Sequence, residues 1–238
     1  NYNSEIKKAV NIFWGVRDNQ YRNQNKQDSG TRGAVTGKKQ LDGFVELFRK
    51  ISLELGIPDK YIFTKKTVLP GYFRPAKDWD FLVLSPQNEI LVCLEFKSQV
   101  GSFGNNFNNR VEEAIGNSTD FWTAFREKAF NTSAIKPMIG YFIIVEKTEK
   151  STSPVKVSEP HFKVMNIFNG TSYLDRYSIF CERLVREKLY DITAVMWTSK
   201  DINQIQFGDF NPAISSKTFI DSFAGFLLGK KSLFNEKS

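Results

Sequence analysis

The chain opens on two stretches of helical periodicity. In residues 4 to about 24, Ile6, Val10, Phe13, Trp14 and Arg17 recur at three- and four-residue steps behind Ser4, a plausible cap, which predicts a first helix. From about residue 39 to 55, Leu41, Phe44, Val45, Phe48, Ile51 and Leu55 form a second apolar stripe, closed by Gly56 and Pro58. Asp42 and Glu46 fall one turn apart on a single face of that helix. The period then shortens. Residues 61–68 read as a strand and Leu69-Pro70-Gly71-Tyr72 as a turn. Residues 77–84 and 89–97 read as two strands joined by a short polar turn.

After Lys97, residues 98–110 are rich in Asn and Gly and read as a loop. A helix from about 109 to 130 follows on Val111, Ala114, Ile115, Trp122 and Phe125. Then come an apolar strand at 138–145, a helix at 172–190, a strand at 192–198 and a last helix at 215–228. Such alternation predicts an α/β fold, a central sheet with helices on both faces. No linker divides the 238 residues, so a single domain over 1–238 with an N-terminal helical region is expected. A 41% hydrophobic content and 22 phenylalanines suffice for its core. No apolar run approaches the roughly 18 residues of a membrane span, and Asn1-Tyr2-Asn3-Ser4-Glu5 is not a signal-peptide start, which predicts a soluble, cytoplasmic protein. Cys93 and Cys181 suit packed, reduced thiols.

Candidate chemistry gathers on the paired strands. Side chains alternate along a strand, so Glu95 and Lys97 share one face and Phe96 takes the other. A turn centred between Gln87 and Asn88 sets Asp80 opposite Glu95 and Asp78 opposite Lys97. Opposed Cβ atoms lie roughly 4.5–5.5 Å apart, close enough for two carboxylates to share a hard cation such as Mg²⁺. Phosphodiester hydrolysis needs a cation for the developing oxyanion and a group that orients the water. Asp80 and Glu95 are the candidate metal ligands, Lys97 the group on the water or the scissile phosphate, and Glu46 a further acid. The acid-x-Lys pattern alone is weak, since Glu5-Ile6-Lys7 repeats it in the first helix. A structural salt bridge would also satisfy Glu95 and Lys97, and a solvated charge would account for Glu46.

The net charge of +7 favours a polyanionic partner. Arg17, Arg22, Lys26, Arg32, Lys38 and Lys39 gather among Gly30, Gly33 and Gly37, a basic loop able to follow phosphates or simply a solvated surface. The single histidine, His161, excludes two-histidine zinc sites, and Glu159-Pro160-His161-Phe162 reads as a turn.

Phe73-Arg74-Pro75, Trp79-Asp80, the block Leu94-Glu95-Phe96-Lys97-Ser98-Gln99-Val100-Gly101, and Ser102-Phe103-Gly104-Asn105-Asn106-Phe107-Asn108-Asn109-Arg110 with Glu112-Glu113-Ala114 resemble the XhoI family of type II restriction endonucleases. The likeness extends upstream through Arg32-Gly33-Ala34-Val35-Thr36-Gly37 and Leu41-Asp42-Gly43-Phe44-Val45, and downstream through Val157-Ser158-Glu159-Pro160-His161-Phe162. It implies the PD-(D/E)xK restriction-endonuclease-like core, Mg²⁺ dependence, and cleavage of double-stranded DNA at a short palindrome by a homodimer. For XhoI-like enzymes the implied target is CTCGAG, cut to leave 5′ overhangs.

Asp80, Glu95 and Lys97 match the triad of that fold, with Trp79 where the motif's name places proline. Several nucleases of the fold use a helix carboxylate, which favours Glu46. Arg32, Lys38, Lys39 and Arg74 are the candidates for the DNA backbone; Asn105, Asn106, Asn108, Asn109 and Arg110 are those for bases. Two other readings stay open. One is a structure-specific or repair nuclease of the same fold, and the other is a catalytically silent DNA-binding module.

Overall fold

The computed structural model describes residues 2–24, 32–130, 135–201 and 204–235, without the side chains of 21–24 and 32–38. Both N-terminal stripes fold as helices, α1 (Asn3–Gln24) and α2 (Arg32–Glu54). The second begins earlier than its stripe, so Arg32, Lys38 and Lys39 belong to a helix and not to the expected basic loop. Lys26, in the same expected loop, lies outside the described residues.

Eight strands follow the order of the chain: β1 (Ile62–Phe63), β2 (Val68–Pro70), β3 (Ala76–Asp78), β4 (Phe81–Leu84), β5 (Ile90–Gln99), β6 (Met138–Glu146), β7 (Ile192–Lys200) and β8 (Ile205–Asp209). The remaining helices are α3 (Phe103–Arg126), α4 (Glu149–Thr152), α5 (Tyr173–Arg186) and α6 (Ser216–Leu228). Six strands form one sheet in the order β1-β4-β5-β6-β7-β8, parallel at β5–β6 and β6–β7 and antiparallel elsewhere. This is the expected α/β architecture, a mixed central sheet flanked by helices, consistent with a restriction-endonuclease-like fold. Among the described residues no helix is long and apolar enough to cross a membrane. Both cysteines are buried free thiols.

Alternation along β5 divides the interior. Val92, Leu94 and Phe96 pack with α1, α2 and α6, where Phe48 meets the rings of Phe81, Phe96, Phe142, Phe219 and Phe223. Cys93 faces the other side, with Tyr141, Tyr177 and Phe121 under α3 and α5.

Three sequence expectations change. The strand expected over 77–84 is broken. Asp78 pairs with Val68 in a separate two-stranded sheet, not with Lys97, and its carboxylate accepts from the Thr67 hydroxyl at 2.8 Å. The break falls at Trp79, which is 2% exposed and packs edge-on against Phe121, pulling the chain from one sheet to the other. The expected loop over 98–110 is mostly helix: β5 runs to Gln99, Gly101 and Ser102 turn with positive φ, and α3 starts at Phe103. The asparagines conceal an apolar stripe of Phe103, Phe107, Val111 and Ala114, which binds this turn to the α5 side of the core. The strand expected over 61–68 shrinks to β1, and β8 is an addition.

Candidate active site

Asp80 precedes β4 and faces Glu95 as expected, because Phe81 pairs with Leu94 and the Asp80 amide donates to the Leu94 carbonyl at 3.2 Å. The register is reached differently, however. A three-residue loop closed by Ser85 and Glu89 replaces the two-residue turn, and a bulge at Val83/Leu84 restores the lost step.

A cleft of about 670 Å³ opens at this end of β5, between α2 and the start of α3. Asp42, Lys77, Asp80, Glu95, Lys97 and Arg110 line it. Glu95 is 0% exposed. Its Oε1 contacts the Lys97 Nζ at 2.7 Å and the Lys77 Nζ at 3.2 Å, while Oε2 accepts from the Asn117 Nδ2 at 2.8 Å. Each oxygen of this buried carboxylate therefore has a partner, which burial of a charge requires. The Asp80 Oδ2 accepts from the Phe96 amide at 2.8 Å, fixing the second carboxylate to the backbone of the same strand.

Electrostatics separate the two acids. Burial raises the Asp80 carboxyl above its ordinary value and the charge of Glu95 adds to this, outweighing the Phe96 amide and the two lysines. Burial acts on Glu95 in the same direction, but Lys97 and Lys77 overcome it and hold the carboxyl below the usual range. For Lys97, burial would lower the ammonium and Glu95 reverses the sign, so it sits above its ordinary value. Lys97 is thus a fixed donor, not a base.

The donor set fits a hard cation. Asp80 and Glu95 offer only oxygen, and among the described residues no group of three or more His, Cys, Asp or Glu side chains gathers at one point. A divalent cation resting on two carboxylates would keep room for water and phosphate oxygens.

Comparison with known proteins agrees with this geometry. The family described as restriction endonuclease XhoI matches residues 20–211, which include every cleft residue named above. The type II restriction enzyme BstVI of Geobacillus stearothermophilus is 47% identical over 180 residues, 73% of this chain and 80% of the relative. Type II restriction enzyme XhoI of Xanthomonas vasicola is 40% identical over 189 residues, 77% of this chain and 75% of the relative. AbrI of Azospirillum brasilense, also a type II restriction enzyme, is 42% identical over 168 residues, 68% of this chain and 74% of the relative.

This chain belongs to the XhoI restriction endonuclease family. Its enzyme class is that of the type II restriction enzymes. No solved structure matches it.

Within this XhoI-family chain the other expected residues divide. Glu46 stays outside the cleft: its side chain is 64% exposed and pairs with Arg49 at 3.1 Å. Asp42, one turn earlier on α2, lines the cleft instead, because a four-residue step moves a side chain about 6 Å along the axis. Burial raises the Asp42 carboxyl, against the opposing charges of Lys39 and Lys65.

Arg74, expected on the DNA backbone, is 40% exposed and is also anchored to α3. Its Nε donates to the Asp120 Oδ2 at 2.8 Å and its Nη2 to the Asn117 Oδ1 at 2.7 Å. Lys39 is exposed on α2, and the side chains of Arg32 and Lys38 lie outside the described residues. The α3 candidates fan out around the helix. Asn106 and Arg110 share the stripe that continues through Glu113 to Asn117 and so face the cleft side, with Arg110 held by Glu113 at 2.7 Å. Asn108 lines the groove toward α5, and Asn105 and Asn109 are exposed. His161 is an exposed bend residue, as its turn context predicts.

Lys77, Asn117 and Asp120 are the residues that sequence reasoning missed. The available signal for Asn117 is its spacing from Arg110 and Glu113, all three inside the helix expected from about 109 to 130.

Proposed function

We propose that the protein hydrolyses phosphodiester bonds in double-stranded DNA at a short palindrome, acting as a homodimer with Mg²⁺ and a PD-(D/E)xK triad of Asp80, Glu95 and Lys97. One observation carries this reading: a fully buried Glu95 held by Lys97 and Lys77, with Asp80 one step beyond the Phe81–Leu94 pair and bonded to the Phe96 amide, at the floor of an open cleft. A purely structural ion pair has no need of a second carboxylate in register or of a cleft above it.

Asp80 and Glu95 would hold the cation. When bound, it neutralises charge building on the phosphate oxygens and acidifies water. Lys97, kept protonated by Glu95, donates to the attacking water or to the scissile phosphate and adds positive charge where the oxyanion develops. Lys77 balances Glu95 from the other side. Asp42 supplies the helix carboxylate in place of Glu46, from a position on the cleft wall where it can orient a water or join the cation. Arg110, whose Nε is buried without a partner, presents a donor group beside the substrate path. A palindrome presents two equivalent half-sites, which two copies related by a two-fold axis engage equally.

Restriction is favoured over a structure-specific nuclease by the three similar proteins, all type II restriction enzymes. CTCGAG, cut to leave 5′ overhangs, is the target to test first. Digestion of a phage genome with Mg²⁺ should give discrete fragments whose sequenced ends share one palindrome, and chelation should abolish them. A smear, or nicking confined to branched DNA, would sink the restriction reading.

A further inference from the structure

Residues 71–75, between β2 and β3, form a built loop that the triad does not use. Pro70 and Pro75 bracket it, and the Gly71 amide donates to the Pro75 carbonyl at 3.3 Å. Asp120 of α3 holds it from within: Oδ1 accepts from the amides of Tyr72 and Phe73, both at 2.8 Å, and Oδ2 from Arg74. Gly71 is needed for this seat, since a Cβ there would stand 2.5 Å from the Arg74 carbonyl oxygen and 2.6 Å from the Asp120 Oδ2.

The outside of the loop is the reverse of its inside. Tyr72 is 55% exposed and Phe73 70%, their rings edge to face with centroids 4.9 Å apart. Two large rings held out on a rigid backbone bury little of their own surface and lose little freedom on contact, which is the energetic form of a recognition element. From the loop, Arg74 reaches Asn117 and Asn117 reaches Glu95, so the tip stands two side-chain hydrogen bonds from the cleft carboxylate.

We infer that Tyr72 and Phe73 form an aromatic tip that stacks on a base of the duplex beside the scissile phosphate. The chemistry fits, because nucleobases offer flat apolar faces on which rings stack. Stacking locally disturbs the base step, an event that the Asp120–Arg74–Asn117 chain links mechanically to Glu95. The inference rests on the nuclease reading above, because it takes its ligand to be the DNA that occupies the cleft.

The test uses a short duplex carrying the cleavage site mapped from the phage digest, with Ca²⁺ replacing Mg²⁺ so that the complex persists. Affinity is measured by fluorescence anisotropy, and base unstacking by 2-aminopurine placed at successive positions. Phe73→Ala should weaken binding about tenfold or more and abolish the 2-aminopurine response at one step. Phe73→Trp should restore both, and Tyr72→Ala should fall between. Unchanged affinity and an unchanged 2-aminopurine response in a folded Phe73→Ala protein would overturn the proposal. So would loss of self-association in sedimentation with DNA affinity intact, since the tip would then belong to a second copy of the chain. Failure of the nuclease reading shows earlier and separately, in wild-type protein that cuts no phage DNA.

Discussion

At the cleft end of β5 the two sides of the strand are built from opposite materials. Toward α2 and α6, Leu94 and Phe96 join a layer of phenylalanine rings centred on Phe48. Toward α3, one residue away, Glu95 and Lys97 join a chain of charged and amide groups running through Asn117 and Arg74 to Asp120. This end of the strand thus gives one parity of its residues to the core and the other to a polar cleft, while Cys93, of the same parity as Glu95, still packs among Tyr141, Tyr177 and Phe121. The dry layer contributes through area and shape, which no proton changes and no counterion screens. The polar chain is sensitive to both, and each of its members is costly to orphan. Substitutions on the two sides should therefore fail in different ways.

The largest effect belongs to the dry side. Phe48→Ala removes a 0%-exposed ring that touches five others and should destabilise the fold by about 3–5 kcal/mol. The fraction that remains folded should cut DNA at the wild-type rate. Urea unfolding and single-turnover cleavage, measured together, check this. A folded variant with impaired chemistry would show that the two sides are not separate.

Glu95→Gln inverts the test. The side chain keeps its volume but loses the charge that faces Lys97 and Lys77. Single-turnover cleavage should fall by about 10²–10³-fold, equivalent to roughly 2.7–4 kcal/mol of transition-state stabilisation. Added Mg²⁺ should raise the melting temperature of the wild type and not of the variant. Cleavage within a few-fold of wild type would remove Glu95 from the mechanism.

How legible this division was depends on distance along the chain. The parity of Glu95, Phe96 and Lys97 and the opposition of Asp80 to Glu95 follow from strand geometry and a nearby turn. They hold although loop length and bulge were each missed, because the two departures cancel. Asp78 was misplaced because burial of Trp79 against Phe121 ends one sheet and begins the next, a tertiary event without a local sign. Asn117 and Asp120 lie inside the helix expected from about 109 to 130, but no local pattern says which face of that helix packs against Glu95 and the 71–75 loop. Glu46 lost its place to Asp42 by a single helical turn, which pattern cannot resolve when both positions share a face. Arg74 is a surface cation as its sequence suggests, at 40% exposure, but its anchoring to α3 was not legible because its partners lie over forty positions away.

Asn117 is where the polar side is most economical to probe. Asn117→Ala leaves the Glu95 Oε2 and one Arg74 donor without their partner. A hydrogen bond to a buried carboxylate is worth about 1.5–3 kcal/mol, so unfolding should be easier by that amount. Cleavage should slow by about tenfold as Glu95 loses its fixed orientation. The Mg²⁺ concentration for half-maximal activity should rise, a change that a merely structural residue would not produce. If stability falls while Mg²⁺ dependence holds, Asn117 supports the fold alone.

The smallest effect is a pH dependence confined to the polar side. Burial acts to raise the Asp120 carboxyl, but the Phe73 and Tyr72 amides and the Arg74 guanidinium outweigh it and hold it below its ordinary value. A carboxyl depressed in the folded state adds stability that is fully present above its unfolded value, about 3.9, and disappears as pH falls through the lower folded value. Asn in its place keeps an acceptor for the two amides and loses the charge toward Arg74. Arg74 is 40% exposed, so screening limits that loss to about 1 kcal/mol or less. Wild type should then exceed Asp120→Asn in urea midpoint by a constant margin from neutral pH down to about 5, with the margin closing below about 4. Phe48→Ala should show a deficit that does not change over the same range, because no proton is bound or released on that side of β5. A margin for Asp120 that persists or widens in acid would mean that its folded carboxyl is not depressed, and the contrast between the two sides would lose its electrostatic half.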